Sequence, residues 1–186
     1  MKKSSIVGAC VMAGLILLSI PVGVHTSLTD LRDEAEGSYY YDQTGYAIYQ
    51  GLEAREATGN NLITVAERYT SQNPELTGLI GELEYAISLT QNSYSDFSDE
   101  AQANQLMGDA AQNLYEELKQ TELSESDEKY PDQLIAEMES EQDKINRSSY
   151  NDEARAYNEK LSAFPFNLLR GIAGVPSMAT FDSTDG

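Results

Sequence analysis

The sequence is poor in the residues on which many enzymes and metal proteins depend. Its 186 residues include one cysteine, one histidine and no tryptophan. A single cysteine excludes an intramolecular disulfide and a cysteine-rich metal site, and a single histidine excludes metal ligation by paired histidines. The sequence also lacks a glycine-rich phosphate loop and a recognisable serine-nucleophile motif. We therefore expect a protein that is not an enzyme and that holds no metal and no other cofactor.

Positive charge is also scarce. The chain carries 12 Lys and Arg against 31 Asp and Glu, a formal net charge of -19 at pH 7. Such a surface repels phosphate groups and lacks the basic stripe from which affinity for DNA or RNA arises, so we expect no nucleic acid partner. The many carboxylates leave one other function class open, an acidic cation-binding or sensing bundle.

No segment shows the sustained alternation of apolar and polar residues that a half-buried strand requires. Small and apolar residues instead recur three and four positions apart, which is the spacing of a helix that packs on other helices. Beyond residue 24 the prolines stand where such patterns start or stop, at Pro74, Pro131, Pro165 and Pro176. The sequence therefore predicts an all-α fold.

One long apolar segment covers residues 6–24 and is interrupted only by Ser19. As a helix at about 1.5 Å per residue it extends roughly 28 Å, close to the thickness of the hydrocarbon core of a bilayer. The alternatives are a cleaved signal peptide and a lipoprotein anchor at Cys10. However, no small-residue cleavage site follows the segment, and most of it lies after Cys10. We therefore predict an uncleaved, single-pass transmembrane anchor that contacts membrane lipid.

The charges that flank this segment predict its orientation. Lys2 and Lys3 precede it, and no basic residue follows it until position 32. By the positive-inside rule, residues 1–5 form a short cytoplasmic N-terminus and residues 25–186 lie on the extracytoplasmic side of the cytoplasmic membrane. We expect a helical bundle over residues 25–181 and a disordered tail over residues 182–186.

Four helices are predicted beyond the anchor. The first extends from Leu28 to Tyr69, and Gly59-Asn60-Asn61 is the place where we expect it to bend or break. The other predicted boundaries are a second helix from Asn73-Pro74, a third capped by Ser98, a solvated loop over 121–129 and a fourth helix over 131–164. Short connections between four helices predict an antiparallel four-helix bundle.

A Tyr-Asn pair occurs twice in the fourth predicted helix. Tyr150-Asn151 and Tyr157-Asn158 lie seven residues apart, so the tyrosines share one helix face and the asparagines form an adjacent stripe. We interpret them as core residues whose polar ends are satisfied by cross-helix hydrogen bonds. A ligand-binding site is the alternative.

Two stretches carry a pattern that goes beyond helical spacing. The first has an Arg, an Asn-Leu-Ile triplet and a Tyr eight residues after the Asn. The second has the Tyr-Asn repeat, a following Leu and Phe-Pro, with an Arg three positions before the first Tyr. The residues concerned are Arg55, Asn61, Tyr69, Arg147, Tyr150, Asn151, Tyr157, Asn158, Phe164 and Pro165. Both stretches resemble the LemA family of membrane-anchored bacterial helical proteins, although Ala57-Thr58-Gly59-Asn60 stands where that family usually has Asp-Leu-Ile-Pro.

The resemblance implies a closed antiparallel helical bundle on a membrane anchor. It implies no catalytic residues, since the biochemical role of the family is largely unassigned. We therefore expect a scaffold or interaction module of the cell envelope, whose partner is an unidentified envelope protein.

Tyr39, Tyr40 and Tyr41 are the most unusual local feature. Successive residues on a helix point about 100° apart, so three consecutive tyrosines do not all face one core. At least one of them is therefore exposed. These residues either pack at the margin of the bundle on an amphipathic helix or, because exposed tyrosine is favoured at protein interfaces, form a partner-binding patch.

Overall fold

The computed structural model describes residues 23, 25–43, 45–92, 96–164, 166–168 and 174–182. Over these residues it contains helices and no strand, which confirms the all-α prediction. The first helix, α1, occupies residues 25–40, and a short helical stretch lies at 166–168. Between them are α2 Ile48–Glu67, α3 Leu76–Asn92, α4 Phe97–Gln120, α5 Tyr130–Asn146 and α6 Ser149–Ser162.

The chain divides into two compact units. The bundle unit consists of Gly37–Asp152 and Ala179–Gly186, and the terminal unit consists of Met1–Glu36 and Glu153–Met178. Helices α2 to α5 lie entirely within the bundle unit.

Side-chain contacts show that helices of the bundle unit run in opposite directions. Gly51, near the start of α2, faces Ile145 at the end of α5. Asn73, which precedes α3, donates a hydrogen bond of 2.9 Å to Thr121, which follows α4. The structure therefore confirms an antiparallel bundle, built by α2, α3, α4 and α5.

The interior of this bundle is filled by aliphatic side chains at helical spacing. Burial of one large aliphatic side chain contributes about 1.5–3 kcal/mol, so this cluster supplies most of the driving force for association of the helices. Its larger members are Leu62, Ile63, Leu76, Ile80, Leu83, Ile87, Met107, Leu114, Leu118, Leu134 and Met138.

Residues 28–69 do not form one helix, contrary to the prediction. Helix α1 ends at residue 40, and Gly45 in the following loop has a φ of 91°, a left-handed conformation that is costly for a residue with a Cβ. Gly59, the predicted bend, lies inside α2 and is buried. A Cβ there would lie 3.1 Å from Cδ1 of Ile87, so this glycine serves close packing of α2 on α3.

The predicted fourth helix is also two helices, α5 and α6. The carboxylate of Asp42, in the loop after α1, accepts hydrogen bonds from the Ser149 amide at 2.7 Å and the Ser148 hydroxyl at 2.8 Å. This distant side chain therefore caps the start of α6. The step of five residues from Ile145 to Tyr150 departs from the three-and-four spacing and is the sequence signal of the break.

Two predicted helix starts differ in detail from the structure. Asp96 caps α4, because its carboxylate accepts a 2.8 Å hydrogen bond from the amide of Ser98, the residue predicted to cap it. Asn73 does take a capping role. Its side-chain oxygen accepts from the Glu75 amide at 3.2 Å, although α3 begins only at Leu76.

The predicted anchor over residues 6–24 lies outside the described residues except for Gly23, and the predicted tail lies outside them except for Asp182. Within the described ranges, no helix combines the length and the apolar character needed to cross a membrane.

Two glycines of the bundle unit give predictions of opposite sign. A Cβ at Gly51 would lie 2.5 Å from Cγ1 of Ile145, whereas a Cβ at Gly81 on the exposed side of α3 would meet nothing within 4 Å. We expect Gly51→Ala to lower the free energy of unfolding by about 1–3 kcal/mol through overpacking. We expect Gly81→Ala to raise it by about 1 kcal/mol through helix propensity. Urea unfolding of the full chain, followed by circular dichroism, measures both; stabilisation by Gly51→Ala would contradict the close contact.

Candidate functional site

A polar cluster lies inside the bundle and is centred on Arg55 of α2, whose side chain is buried. Its Nη1 donates to the main-chain carbonyl of Asn104 on α4 at 3.2 Å and to the side-chain oxygen of the same residue. Nη1 also donates to Oε1 of Gln142 on α5 at 2.7 Å, and Asn104 donates to that oxygen at 2.9 Å. One cation from α2 is therefore bound by groups of both α4 and α5.

The charge of Arg55 is stabilised by hydrogen bonds to amide oxygens and not by a salt bridge to a carboxylate. Burial lowers the pKa of Arg55 to about 10, and the negative charge of Asp109 opposes that shift. The guanidinium is therefore protonated at neutral pH. Among the described residues no salt bridge involves it. A buried charge held in this way has a large desolvation cost that the hydrogen bonds offset only in part.

The Arg55 side chain lines a groove of about 390 Å³. Helix α4 contributes Gly108 and the buried Ala111, and α5 contributes the buried Met138. The exposed carboxylates of Glu139 and Asp143, also on α5, line the same groove. This is the size and mixed lining of a site for a small ligand.

In the bundle unit, the first Tyr-Asn pair holds the C-terminal segment of the chain. The Tyr150 hydroxyl donates to the carbonyl of Ala179 at 3.0 Å, and the Asn151 side-chain oxygen accepts from the Phe181 amide at 2.8 Å. The Asn151 amide group donates to the carbonyl of Ile145, at the end of α5, at 2.8 Å. The pair thus satisfies main-chain groups outside regular hydrogen-bonded structure.

In the terminal unit, the second pair makes the same kinds of contact. The Tyr157 hydroxyl donates to the carbonyl of Pro176 at 3.1 Å. The Asn158 side chain donates to the Met178 carbonyl at 2.8 Å and accepts from the Met178 amide at 2.9 Å. Burial raises the pKa of Tyr157, which keeps its hydroxyl a donor.

The two pairs share one rule of spacing. The pairs are seven residues apart in a helix, which corresponds to a rise of about 10.5 Å. The main-chain groups that they bind are three residues apart along the chain, Pro176 and Ala179 for the tyrosines and Met178 and Phe181 for the asparagines. The tyrosines are buried as the helix spacing predicts, but the asparagines bind main-chain groups and not the side chains of a neighbouring helix.

The three consecutive tyrosines have different environments. Tyr39 is buried and its ring centroid lies 4.6 Å from that of Phe97, 5.7 Å from Phe181 and 6.0 Å from Tyr150. We call these four residues the aromatic cluster. Tyr40 and Tyr41 are 46% and 87% exposed, and we call them the tyrosine patch. The predicted partner patch thus retains two of its three residues at the surface, with Tyr39 in the core.

The hydroxyl of Tyr39 donates a 2.6 Å hydrogen bond to Oε1 of Glu100 on α4. Glu100 is buried, and its Oε2 has no hydrogen-bond partner. Burial raises the pKa of Glu100, the Tyr39 hydrogen bond opposes that rise, and the charge of Glu56 adds to it. From the sequence, Glu100 was identifiable only as an acidic residue in the first turn of a helix.

Tyr69 secures the loop that follows α4. Its hydroxyl donates to Asp127 at 2.9 Å and accepts from the Ser124 amide at 3.1 Å. Arg68 donates to both carboxylate oxygens of Asp127 at 3.0 Å. The hydrogen bonds from Tyr69 and then from Arg68 lower the pKa of Asp127. The loop predicted to be solvated therefore contains one buried acidic residue that attaches it to the end of α2.

The remaining motif residues are not brought into these contacts. Asn61 is exposed on α2, Arg147 is exposed at the end of α5, and Phe164 is 79% exposed. Pro165 lies outside the described residues. The described motif residues are therefore distributed over both units.

Sequence reasoning missed Asn104 and Gln142, the two partners of Arg55. Asn104 stands three residues before Met107 and seven before Ala111, on the buried face of α4. A polar residue at core spacing was the available signal. In the described part of the chain no group of three or more His, Cys, Asp or Glu side chains is placed to hold a metal ion.

Comparison with known proteins gives one result. The family model described as LemA family matches residues 47–186. No curated protein and no solved structure matches the chain.

The burial of Tyr157 predicts its contribution to stability. We expect Tyr157→Ala to lower the free energy of unfolding by about 3–5 kcal/mol, as for other large aromatic truncations. Tyr157→Phe keeps the ring and loses one hydrogen bond, so we expect a loss of about 0.5–1.5 kcal/mol. Urea unfolding of the full chain measures both.

The matched control is Tyr85→Ala, because Tyr85 is 64% exposed on α3. We expect this control to stay within about 0.5 kcal/mol of the wild type. A loss of less than about 0.5 kcal/mol for Tyr157→Ala would contradict the packing role and would favour a binding surface at the Tyr-Asn repeat.

Proposed function

Because the chain belongs to the LemA family, we propose that it is a membrane-anchored helical-bundle protein that acts as a scaffold or interaction module of the cell envelope. The proposed partners are membrane lipid, bound through the anchor, and an envelope protein. The proposal includes no catalytic activity and no nucleic acid, in keeping with one histidine, one cysteine and a net charge of -19.

The proposed anchor is residues 6–24, and its support is the length and apolar character of that segment. Lys2 and Lys3 support an orientation with the N-terminus in the cytoplasm and the bundle outside the cytoplasmic membrane. A module held there is restricted to the membrane surface, where an envelope protein is its natural partner.

The observation that carries the interaction role is the tyrosine patch. Tyr41 is 87% exposed, and the ring of Tyr40 packs at 4.7 Å on that of Tyr39, which belongs to the aromatic cluster. Exposed tyrosines supported by a packed interior lose little conformational entropy on binding, and tyrosine is enriched among the residues that dominate protein interfaces. The patch is therefore the surface that we assign to the partner.

The anchor is tested by the double substitution Leu15→Arg, Leu17→Arg. Each arginine at the centre of a span costs about 2.5–3.5 kcal/mol on insertion scales, so we expect the variant to leave the membrane fraction or to fail to insert. Fractionation with a carbonate wash measures this. Tyr85→Arg, in the exposed part of α3, is the control that should stay with the membrane.

Recovery of the double variant in the carbonate-resistant pellet would contradict the anchor.

Protease added to intact spheroplasts tests the orientation of the wild-type chain. We expect digestion of the bundle, whereas full protection beside an intact cytosolic marker would reverse the assignment.

The tyrosine patch is tested by placing a photo-crosslinking amino acid at Tyr41 or, as the control, at Tyr85. Both side chains are well exposed, 87% for Tyr41 and 64% for Tyr85, so a crosslinker at either position can reach a partner. We expect one discrete adduct from position 41 and none of that size from position 85, with unfolding of both variants within about 0.5 kcal/mol of wild type.

A second variant, Tyr41→Ala, should abolish capture of the protein found in that adduct. Identical adducts from both positions, or undiminished capture by Tyr41→Ala, would contradict the assignment of the patch.

A further inference from the structure

We propose that the groove beside Arg55 binds a small zwitterion of the amino-acid class, a molecule with one carboxylate and one ammonium group. The proposal is independent of the anchor and of the tyrosine patch. It depends on the free hydrogen-bond donors of Arg55, on their position in the groove, and on the charges that line it.

The guanidinium of Arg55 has more hydrogen-bond donors than the bundle uses. Nη1 of Arg55 is occupied by Asn104 and Gln142. Nε is buried and has no hydrogen-bond partner, and among the described residues Nη2 has none either. Nε and Nη2 form the edge of a guanidinium that donates two parallel hydrogen bonds to a carboxylate. The chain therefore fixes this side chain by Nη1 and leaves its carboxylate-binding edge unsatisfied.

Gly108 brings that edge to the groove. A Cβ at position 108 would lie 2.9 Å from Nη2 of Arg55, so Nη2 lies directly against this glycine. Gly108 and Arg55 both line the groove. Any larger residue at position 108 would displace this donor, whereas glycine leaves the space beside it unfilled.

The charges around the donor select the rest of the ligand. Glu139 and Asp143 line the groove and are exposed, and the charge of Asp109 acts on Arg55. A simple anion would meet two groove carboxylates for one cation, which disfavours its entry. An ammonium group on the same molecule turns those carboxylates into attractive partners.

The size and the apolar lining agree with this class of ligand. The groove has a volume of about 390 Å³, which is within the range of small-molecule sites. Ala111, Ile135 and Met138 supply apolar surface for a short aliphatic chain. An amino acid or an ω-amino acid therefore fits the groove, with its carboxylate at Arg55, its ammonium group at Glu139 and Asp143, and its hydrocarbon part on the apolar lining.

The test is calorimetric titration of the purified full chain in detergent micelles with L-leucine and γ-aminobutyrate. Butyrate and butylamine are the matched probes that each keep one charge. We expect saturable binding of at least one zwitterion, binding of butyrate at least tenfold weaker, and no binding of butylamine.

Three changes to the groove separate the contributions. Arg55→Lys keeps the charge and loses the two parallel donors, and Gly108→Ala places a methyl group against Nη2. We expect each to weaken the zwitterion at least tenfold. The double change Glu139→Gln, Asp143→Asn should remove the preference for the zwitterion over butyrate, because the partners of the ammonium group are lost.

The control is Glu137→Gln, an exposed acid on α5 that does not line the groove. It should bind as the wild type does. If Arg55→Lys does not fold, as judged by circular dichroism, Gly108→Ala and the surface double variant still decide the question. The absence of saturable binding by both zwitterions, or binding that neither of these variants changes, would overturn the proposal.

Discussion

The arrangement of the bundle depends on the hydrogen bonds of one buried cation, the guanidinium of Arg55. Arg55 projects from α2 into a core of aliphatic side chains, where a guanidinium without hydrogen bonds would be prohibitively unfavourable. Asn104 of α4 and Gln142 of α5 supply those hydrogen bonds, and they do so only when the three helices are in one register. Packing of aliphatic side chains drives the helices together. The hydrogen bonds among Arg55, Asn104 and Gln142 then favour one register of the three helices over shifted registers.

A second constraint comes from the C-terminal segment. Residues 175–182 have no regular secondary structure, so their main-chain groups need partners from elsewhere. The Tyr-Asn pairs of α6 provide these partners, one pair in each unit. The sequence pattern indicated packing of one helix on another, whereas in the structure these pairs bind a segment that has no regular secondary structure.

The polar residues inside the bundle unit fall into two groups. Some are fully used for structure, as in the hydrogen bonds of Tyr69 and Asn151. Others leave hydrogen-bonding capacity unused, as at Nε of Arg55, which lies at a groove with acidic residues on its exposed side. The surface adds the tyrosine patch, where aromatic area is exposed next to the aromatic cluster. These are the features on which the two proposed interactions depend.

The sequence by itself determined the helical class and the buried faces, because apolar spacing of three and four residues is a local property of the chain. The antiparallel arrangement followed from the short connections between helices. The step of five residues after Ile145 was a signal of a helix break that the prediction missed. Gly59 was wrongly predicted to mark a bend, because its role depends on Ile87 of another helix. Only the tertiary structure decided the rest. The Asn158 side chain bonds Met178 twenty residues later, and Arg55 bonds Asn104 forty-nine residues later. The hydrogen-bond partner of a polar side chain is a group that lies near it in space. The spacing of residues along the chain does not specify which distant groups come that close.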